Sequence, residues 1–170
     1  MRIYVPATLA MLSRLVADGS LRPVNGTAFA VTPTLREAYA DGDEDELADV
    51  ALRDAALASL RLLADDATEG LPARRAVLEA DVTDADAGIT LRPDLDDAVV
   101  RLAAGEIPLE RVIAAYVDNA AAESAVLAAV EVIDDADLGD EDAELTVGDA
   151  QDHDLAWYAA QELPFLLELL

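Results

Sequence analysis

Apolar residues recur at strand and helix spacings at the start of the chain, and they predict two similar supersecondary units. Residues 2–5 (RIYV) fit a short strand, and Pro6 is expected to open a helix whose leucines follow at helical spacing up to Gly19. Residues 25–31 (NGTAFAV) fit a second strand entered through an Asn-Gly turn, and the segment TLREAY fits a second helix. Each unit therefore joins a strand to a helix through a junction that contains proline and threonine.

The strongest helical pattern covers residues 41–66. Its leucines, Val50 and several alanines form a broad apolar stripe, which indicates a helix with one buried side. Acidic residues crowd its first turn, where they favour the positive end of the helix dipole. Asp43 or Asp45 is expected to cap it.

Three further apolar segments fit strands, and one fits a helix. The strands are predicted at residues 74–82, 98–103 and 111–118, and the helix at residues 120–133. Residues 81–97 are rich in acids and turn formers, so a loop is predicted there.

The end of the chain combines an acidic stretch with the apolar tail DHDLAWYAAQELPFLLELL. Residues 134–144 are expected to form a solvated loop, and Asp149 or Asp152 is expected to cap a terminal helix that Pro164 bends or restarts. The resulting order, β-α-β-α-α-β-β-β-α-α, predicts a single α+β domain over residues 1–170. We expect a mixed sheet of about four to six strands covered by helices.

Composition narrows the classes of function. The chain of 170 residues lacks cysteine, which excludes thiol catalysis, Cys-ligated zinc and Fe–S clusters. It also lacks lysine, and its formal charge of −25 disfavours binding to nucleic acids and to anionic membranes. The acids are interpreted as a solubilising surface, or alternatively as a face that docks a basic partner or mimics DNA. No signal peptide or membrane span is evident, so we expect a soluble cytoplasmic protein.

Two acidic stretches carry part of the spacing of a calcium-binding EF-hand loop. Asp41, Asp43 and Asp45 have EF-hand spacing, but Glu46 stands where that loop needs glycine and Leu52 where it needs a bidentate acid. The later acidic stretch, DADLGDEDAELT, has its glycine one position early and lacks the final acid. The sequence therefore predicts no metal site and no cofactor.

The single histidine and the single tryptophan share the predicted terminal helix. His153 is flanked by acids, so it is either a general base or a residue at a helix start. Trp157 would lie on the same helical side, with Tyr158 and Gln161 one turn apart. These side chains either close the core or form a ligand face. No G-x-S-x-G motif is present, and no catalytic residue is assigned.

The two strand–helix junctions suggest an anion site. Thr8 and Thr34 stand at predicted helix starts, where free N–H groups attract anions, and Arg36 is one arginine that would complete such a site. The alternative is that both threonines are helix caps. The apolar tail LPFLLELL is expected either to complete the core or to form a patch for a homodimer or protein partner.

Three segments, MRIYVPATLAML, FAVTPTLREAYADGDEDELADVAL and DHDLAWYAAQEL, resemble a family of short uncharacterised actinobacterial proteins. The resemblance spans most of the chain and is least distinctive at about residues 70–105. It implies a bacterial cytoplasmic protein and transfers no catalytic residues. The positions that carry its motifs are Pro6, Thr8, Pro33, Arg36, Glu37, Tyr39, His153, Trp157, Tyr158 and Gln161.

Two functions follow from these observations. The first is a non-enzymatic binding or regulatory module that acts through protein contacts, with the terminal apolar helix as the contact surface for a homodimer or another protein. The alternative is a small-molecule or anion-binding protein, or an enzyme. Its site would lie at the Pro-Thr helix starts and the face that carries His153 and Trp157. A cavity that joins Thr8 or Thr34 to His153 and Tyr158 would favour the alternative.

Overall fold

The computed structural model describes residues 1–65 and 70–170, and these form strands and helices in mixed order. The strands are β1 (Arg2–Ala7), β2 (Ser20–Leu21), β3 (Thr27–Phe29), β4 (Ala76–Asp81), β5 (Ile89–Leu91), β6 (Val99–Leu102), β7 (Ile107–Pro108), β8 (Val112–Val117) and β9 (Ala156–Ala159). The helices are α1 (Leu9–Asp18), α2 (Pro33–Ala38), α3 (Glu44–Asp65), α4 (Asp84–Ala87), α5 (Glu123–Asp137), α6 (Glu141–Gln151) and α7 (Leu163–Glu168).

Seven of these strands form one open sheet in the order β5-β6-β3-β1-β4-β8-β9, and β2 pairs with β7 separately. Every pairing is antiparallel. The predicted α+β class is confirmed, but the sheet is larger than predicted and antiparallel rather than mixed. The additional strands β5 and β9 are the two edges, where the sequence suggested a loop and a helix.

The two Thr-Pro junctions fold differently from one another. Pro6 does not open a helix, because β1 continues through it to Ala7. Helix α1 begins at Leu9, and its cap is Thr8, whose Oγ1 accepts a hydrogen bond from the backbone N–H of Met11 at 3.2 Å. Thr8 is therefore a cap, as one of the two predicted alternatives had it.

The second junction is capped two residues earlier than predicted. Thr32, not Thr34, caps α2, since its Oγ1 accepts from the backbone N–H of Leu35 at 3.1 Å. The Thr32 hydroxyl also donates to the carbonyl of Asp97. Pro33 occupies the first turn, where its missing N–H costs nothing. Thr34 therefore lies inside the first turn of α2.

Helix α3 matches its prediction closely. Asp43 caps it by accepting from the backbone N–H of Glu46 at 2.9 Å. The final residue of the predicted helix, Asp66, lies outside the described residues. Leu47, Ala51 and Ala55 are buried against one face of the sheet.

The predicted acidic loop is wrong, because most of its residues are helical. Helix α5 continues to Asp137, and α6 begins at Glu141 after a connection that contains Gly139 in a left-handed conformation. Asp140 caps α6 by accepting from the backbone N–H of Ala143 at 2.9 Å. Three acids in the first turn of α6 favour its positive end, so the acidic run helps to start a helix instead of interrupting one.

The predicted terminal helix through Trp157 is also wrong. Asp149 lies inside α6, Asp152 ends that helix, and the segment AWYA forms β9, in which Trp157 lies opposite Tyr116 of β8. Aromatic residues are enriched in strands, and pairing with β8 gives backbone N–H and C=O groups of this segment their hydrogen-bond partners.

The outer edge of β9 is capped by the chain that follows it. The backbone N–H of Ala159 donates to Oε1 of Glu162 at 2.9 Å. The chain then enters α7, which has Pro164 in its first turn, so this proline lies at the start of a separate helix and neither bends nor restarts the predicted one.

The core lies on both faces of the sheet. On one face, Ile3, Val5 and Leu78 pack with Leu12 of α1 and Leu163 of α7. On the other face, α3 covers residues of β1, β3 and β4. The second half of α3 also packs against α5, so helices α5 and α6 form a layer at one end of the sheet.

A buried ion pair joins the sheet to this helical layer. Arg75 and Asp118 have side-chain exposures of 2% and 0%, and the Arg75 guanidinium binds both carboxylate oxygens at 2.9 and 2.7 Å. Its remaining contacts are Oε1 of Gln151 and the carbonyl of His153, each at 2.8 Å. The backbone N–H of Arg75 also donates to Asp118 at 2.8 Å. Arg75 lies just before β4, and Asp118 lies just after β8. The contacts of Arg75 with Gln151 and His153 add the end of α6 and the segment before β9, so four elements meet at this pair.

We predict that Asp118→Ala lowers the free energy of unfolding by about 3–5 kcal/mol, because it leaves the Arg75 guanidinium buried without its counterion. Glu106→Ala removes an exposed ion pair with Arg22, and its effect should stay below about 1 kcal/mol. Urea unfolding monitored by circular dichroism measures both. Equal losses in the two variants would contradict the role assigned to the buried pair.

Candidate functional site

A cavity of about 780 Å³ opens beside the start of β1. Strands β1 and β3 pair at Tyr4 and Phe29, and Tyr4 is also one of the residues that line the cavity. Its apolar lining comes from Met1, Tyr4, Val31, Pro33, Ala48, Ile89 and Leu91. Its charged lining comes from Arg2, Arg36, Glu44, Asp45 and Asp84. The cavity is therefore an apolar cleft with charged groups placed around it.

A buried carboxylate holds one of these arginines. Glu79 of β4 is 7% exposed, and its Oε2 accepts from Nη1 of Arg2 at 3.1 Å. Its Oε1 accepts from the Tyr116 hydroxyl at 3.0 Å. Tyr4 lies opposite Glu79 in the register of β1 and β4. Glu79 is therefore a shared acceptor that binds Arg2 at the cleft.

The two tyrosines beside Glu79 retain their protons far above neutral pH. Burial, and then the charge of Glu79, raises the pKa of Tyr4 to about 12. The same two causes raise the pKa of Tyr116 further. Both hydroxyls are therefore hydrogen-bond donors, and neither can act as a base under ordinary conditions.

The second arginine of the cleft is held by a neighbouring helix. Nε and Nη2 of Arg36 donate to the two carboxylate oxygens of Glu44 at 3.0 and 3.3 Å. In Arg2, Nη1 is the nitrogen that finds an acceptor among the described residues, so Nε and Nη2 can donate to a ligand. The cleft has two arginines against three carboxylates, whereas the whole chain has 11 basic against 36 acidic residues.

A second cavity of about 220 Å³ lies on the same side of α3. It is lined by Asp49, Leu52, Arg53, Ala56, Arg75, Gln151, His153, Asp154 and Leu155. The buried Arg75 closes its base, and the connection between α6 and β9 forms its far wall. Its lining includes both acidic and basic side chains.

A family model matches residues 1–167, which is nearly the whole chain. The chain belongs to the DUF6912 family, a family of unknown function. A search of curated proteins and a search of solved structures each found no match. The predicted membership of an uncharacterised family is therefore confirmed, and the actinobacterial origin stays a prediction.

The DUF6912 chain does not bring its predicted junction residues together. Arg36 lines the cleft, but neither Thr8 nor Thr34 does. Thr8 is buried as the cap of α1. It follows the last residue of β1, whereas Arg2 is the first residue of that strand. Neither of the two cavities joins Thr8 or Thr34 to His153 and Tyr158. The anion site at the paired helix starts therefore stays a prediction, and these two cavities do not bring its residues together.

The predicted face of His153, Trp157, Tyr158 and Gln161 is divided. His153 lines the smaller cavity, and Trp157 is 55% exposed beside Tyr116 on the α3 side of the sheet. Tyr158 packs against the core on the opposite side, because successive residues of a strand point to opposite faces. Gln161 is exposed in a short turn of 3-10 helix. Trp157 therefore does not close the core, which was one of its two predicted roles.

Sequence reasoning missed Glu79 and its two tyrosines. One signal was present, since Glu79 is a charged residue inside the apolar run AVLEA of a predicted strand. A charged residue at such a position is buried only when partners satisfy it. Tyr4 and Tyr116 also stand inside predicted strands, but their pairing with β4 depends on strand order.

Residues 1–65 and 70–170 contain neither a cluster of side chains suited to a metal ion nor a helix suited to a membrane. In these residues, no three His, Asp or Glu side chains converge in a way that would hold a metal ion. None of the helices described there is long and apolar enough to cross a membrane.

We predict that Glu79→Gln lowers the pKa of Tyr4 and Tyr116 without returning either to its ordinary value, because burial remains. In the native protein Tyr4 keeps its proton to about pH 12, whereas unfolded tyrosines ionise near pH 10. Stability should therefore fall as pH rises through this window, and less so in the variant. Ultraviolet absorbance of tyrosinate measures the titration, with the exposed Glu144→Gln as control. Unchanged titration in Glu79→Gln would contradict the network.

Proposed function

We propose that this DUF6912 chain binds a small organic molecule that carries a carboxylate and an apolar body. The observation that carries the proposal is the cleft of about 780 Å³ in which Arg2 is fixed by the buried Glu79. This volume lies within the range of about 300–1,000 Å³ that is common for small-molecule sites. The apolar lining supplies most of the contact surface for such a ligand.

The carboxylate is inferred from the state of Arg2. Its Nη1 is held by Glu79, so the guanidinium is oriented before a ligand arrives. The nitrogens that remain free suit the planar, two-pronged contact that arginine makes with carboxylates. A strongly anionic ligand would be repelled by the charge of −25, so a single carboxylate is favoured over a polyphosphate.

Small-molecule binding was the alternative function predicted from the sequence, but its site now lies elsewhere in the fold. The helix starts at Thr8 and Thr34 are replaced by the cleft that includes Arg36. It is a binding function, and it assigns no catalytic residue. We also propose that this is a single-domain, cytoplasmic, actinobacterial protein. The excess of carboxylates supports the further proposal that it has no nucleic-acid or membrane partners.

We predict that arylalkyl carboxylates raise the thermal midpoint of the native protein and that the matched primary amides do not. A ligand at about a hundred times its dissociation constant should stabilise the fold by about 2.7 kcal/mol. Arg2→Gln should abolish this difference, whereas Arg22→Gln, which alters an exposed ion pair outside the cleft, should retain it. A thermal-shift assay measures the acid and the amide with the native protein and with each of the two variants. Equal effects of acid and amide would overturn the carboxylate assignment.

A second pair of variants tests the cleft without altering Arg2. Ala48 lines the cleft and Ala58 does not, although both are partly buried alanines of α3 packed against the same core residues. We expect Ala48→Phe to weaken carboxylate binding at least tenfold by filling the cleft, and Ala58→Phe to leave it unchanged. Isothermal titration calorimetry gives the dissociation constants. Unchanged binding in Ala48→Phe would place the ligand elsewhere.

A second candidate function is association through the terminal helix. Leu163 and Leu166 of α7 are buried, but Phe165 is 67% exposed and Leu169 just beyond the helix is 86% exposed. These two residues are four positions apart and therefore lie on one side of the helix. They favour the homodimer expected from the apolar tail, because large apolar side chains grouped at a surface often mark contacts.

We predict that light scattering of the native protein gives a mass near twice 17.9 kDa at high concentration. Phe165→Asp should return the mass to that of one chain. Leu145→Asp changes an apolar residue of α6 that is also exposed, and it should leave the dimer intact. A monomer at every concentration tested would rule out this second function.

A further inference from the structure

The smaller cavity has a base whose polar groups already have partners. The charge of Arg75 is balanced by Asp118, and Nη1 of Arg75 donates to Oε1 of Gln151 at 2.8 Å. Nε2 of Gln151 in turn donates to the backbone carbonyl of Arg53 at 3.2 Å. The carbonyl of His153 also accepts from Arg75. Helix α3 and the connection between α6 and β9 are therefore tied together at this cavity, so its two walls are held in place without a ligand.

The rim of this cavity carries charges of both signs that have no counterion. Asp49 and Arg53 lie on the wall formed by α3, Asp154 lies on the wall formed by the connection, and all three residues are exposed. No ion pair among residues 1–65 and 70–170 includes any of them. Asp49 precedes Arg53 by one helical turn, a spacing at which opposite charges often pair, yet these two do not. The rim therefore offers one open cation and two open carboxylates.

The space between these charges is small and partly apolar. Its volume of about 220 Å³ lies below the range of about 300–1,000 Å³ that is common for drug-sized ligands. Leu52, Ala56 and Leu155 supply its apolar lining. Ala56 is buried, and both leucines are partly buried. The cavity therefore suits a small molecule that has one short apolar branch and charged groups at its other end.

We propose that the smaller cavity binds a free α-amino acid with an aliphatic side chain of about the size of leucine. The α-carboxylate binds the guanidinium of Arg53, and the α-ammonium lies between Asp49 and Asp154. The side chain enters the cavity and packs against Leu52 and Leu155. The two cavities share no lining residue, so this is a second site that does not rest on the carboxylate binding proposed for the larger cleft.

The unpaired charges favour a zwitterion over a simple acid or a simple amine. A monocarboxylate would pair with Arg53 but would face the carboxylates of Asp49 and Asp154, and an amine would leave Arg53 without a counterion. An amino acid carries an ammonium and a carboxylate on neighbouring carbon atoms, so it complements both signs at one rim. It is also neutral overall, and the chain's charge of −25 does not repel it.

The first test compares leucine with glycine by isothermal titration calorimetry on the native protein. Glycine has the same two charged groups but no side chain to bury in the cavity. It should therefore bind at least about tenfold more weakly than leucine. Equal affinities would contradict the apolar subsite, and the absence of leucine binding would overturn the whole inference.

A double-mutant cycle tests the carboxylate contact. Arg53→Gln should weaken leucine about two- to fivefold and should not weaken leucinamide, which has no carboxylate to pair with Arg53. Arg14→Gln is the matched control, because Arg14 is an exposed arginine of α1 that also lacks an ion pair in the described part of the chain. It should alter neither affinity. Equal losses for leucine and leucinamide in Arg53→Gln would contradict the contact.

A third variant tests the ammonium contact and separates the two sites. Asp154→Asn should weaken leucine about two- to fivefold. It should leave isocaproate unchanged, because this leucine analogue lacks the ammonium and belongs to the carboxylates proposed for the larger cleft. Leucine binding that responds to neither Arg53→Gln nor Asp154→Asn would place leucine elsewhere and overturn the second site. Failure of leucine alone, with arylalkyl carboxylates still bound, would refute this inference and leave the proposed function intact.

Discussion

The ion pair between Arg75 and Asp118 is the interaction on which the arrangement of the second cavity depends. Two charges removed from water require complete partners, and the Arg75 guanidinium has them in Asp118, Gln151 and the carbonyl of His153. Because that carbonyl belongs to the connection between α6 and β9, the pair fixes where this connection crosses the sheet. The far wall of the second cavity and the edge strand that follows are therefore held in place by this buried pair.

A second constraint separates the two faces of the sheet. On β4, Leu78 and Ala80 face the core beneath α1 and α7, so Glu79 must face the side of α3. A carboxylate on that side is tolerated because Arg2 and Tyr116 bind it from neighbouring strands. The requirement to satisfy one buried charge thus gathers an arginine and an aromatic hydroxyl at the same place. The cleft acquires its polar groups in this way.

Local signals were sufficient for part of the fold and for little of the site. The stripe of α3, the cap at Thr8 and the stop at Gly19 are encoded within a few residues, so they could be predicted. The strand β9 could not, because AWYA has no local preference strong enough to exclude a helix, and its pairing with β8 is a tertiary contact. The cleft joins residues from distant parts of the chain. Arg36 was found through its neighbouring motif, but Glu79 and Tyr116 meet only after the strands have been ordered.

The bond between Ala159 and Glu162 has a consequence for how the protein behaves at high concentration. An edge strand offers unpaired backbone groups on which another chain can add a strand, and this is a common start of aggregation. Here the N–H of Ala159 is already occupied by the carboxylate of Glu162, and β9 is four residues long. The chain then turns at once into a helix with Pro164 in its first turn. One backbone donor of this edge is thereby occupied by a residue of the same chain, so a strand added from another molecule would lack a hydrogen bond at Ala159.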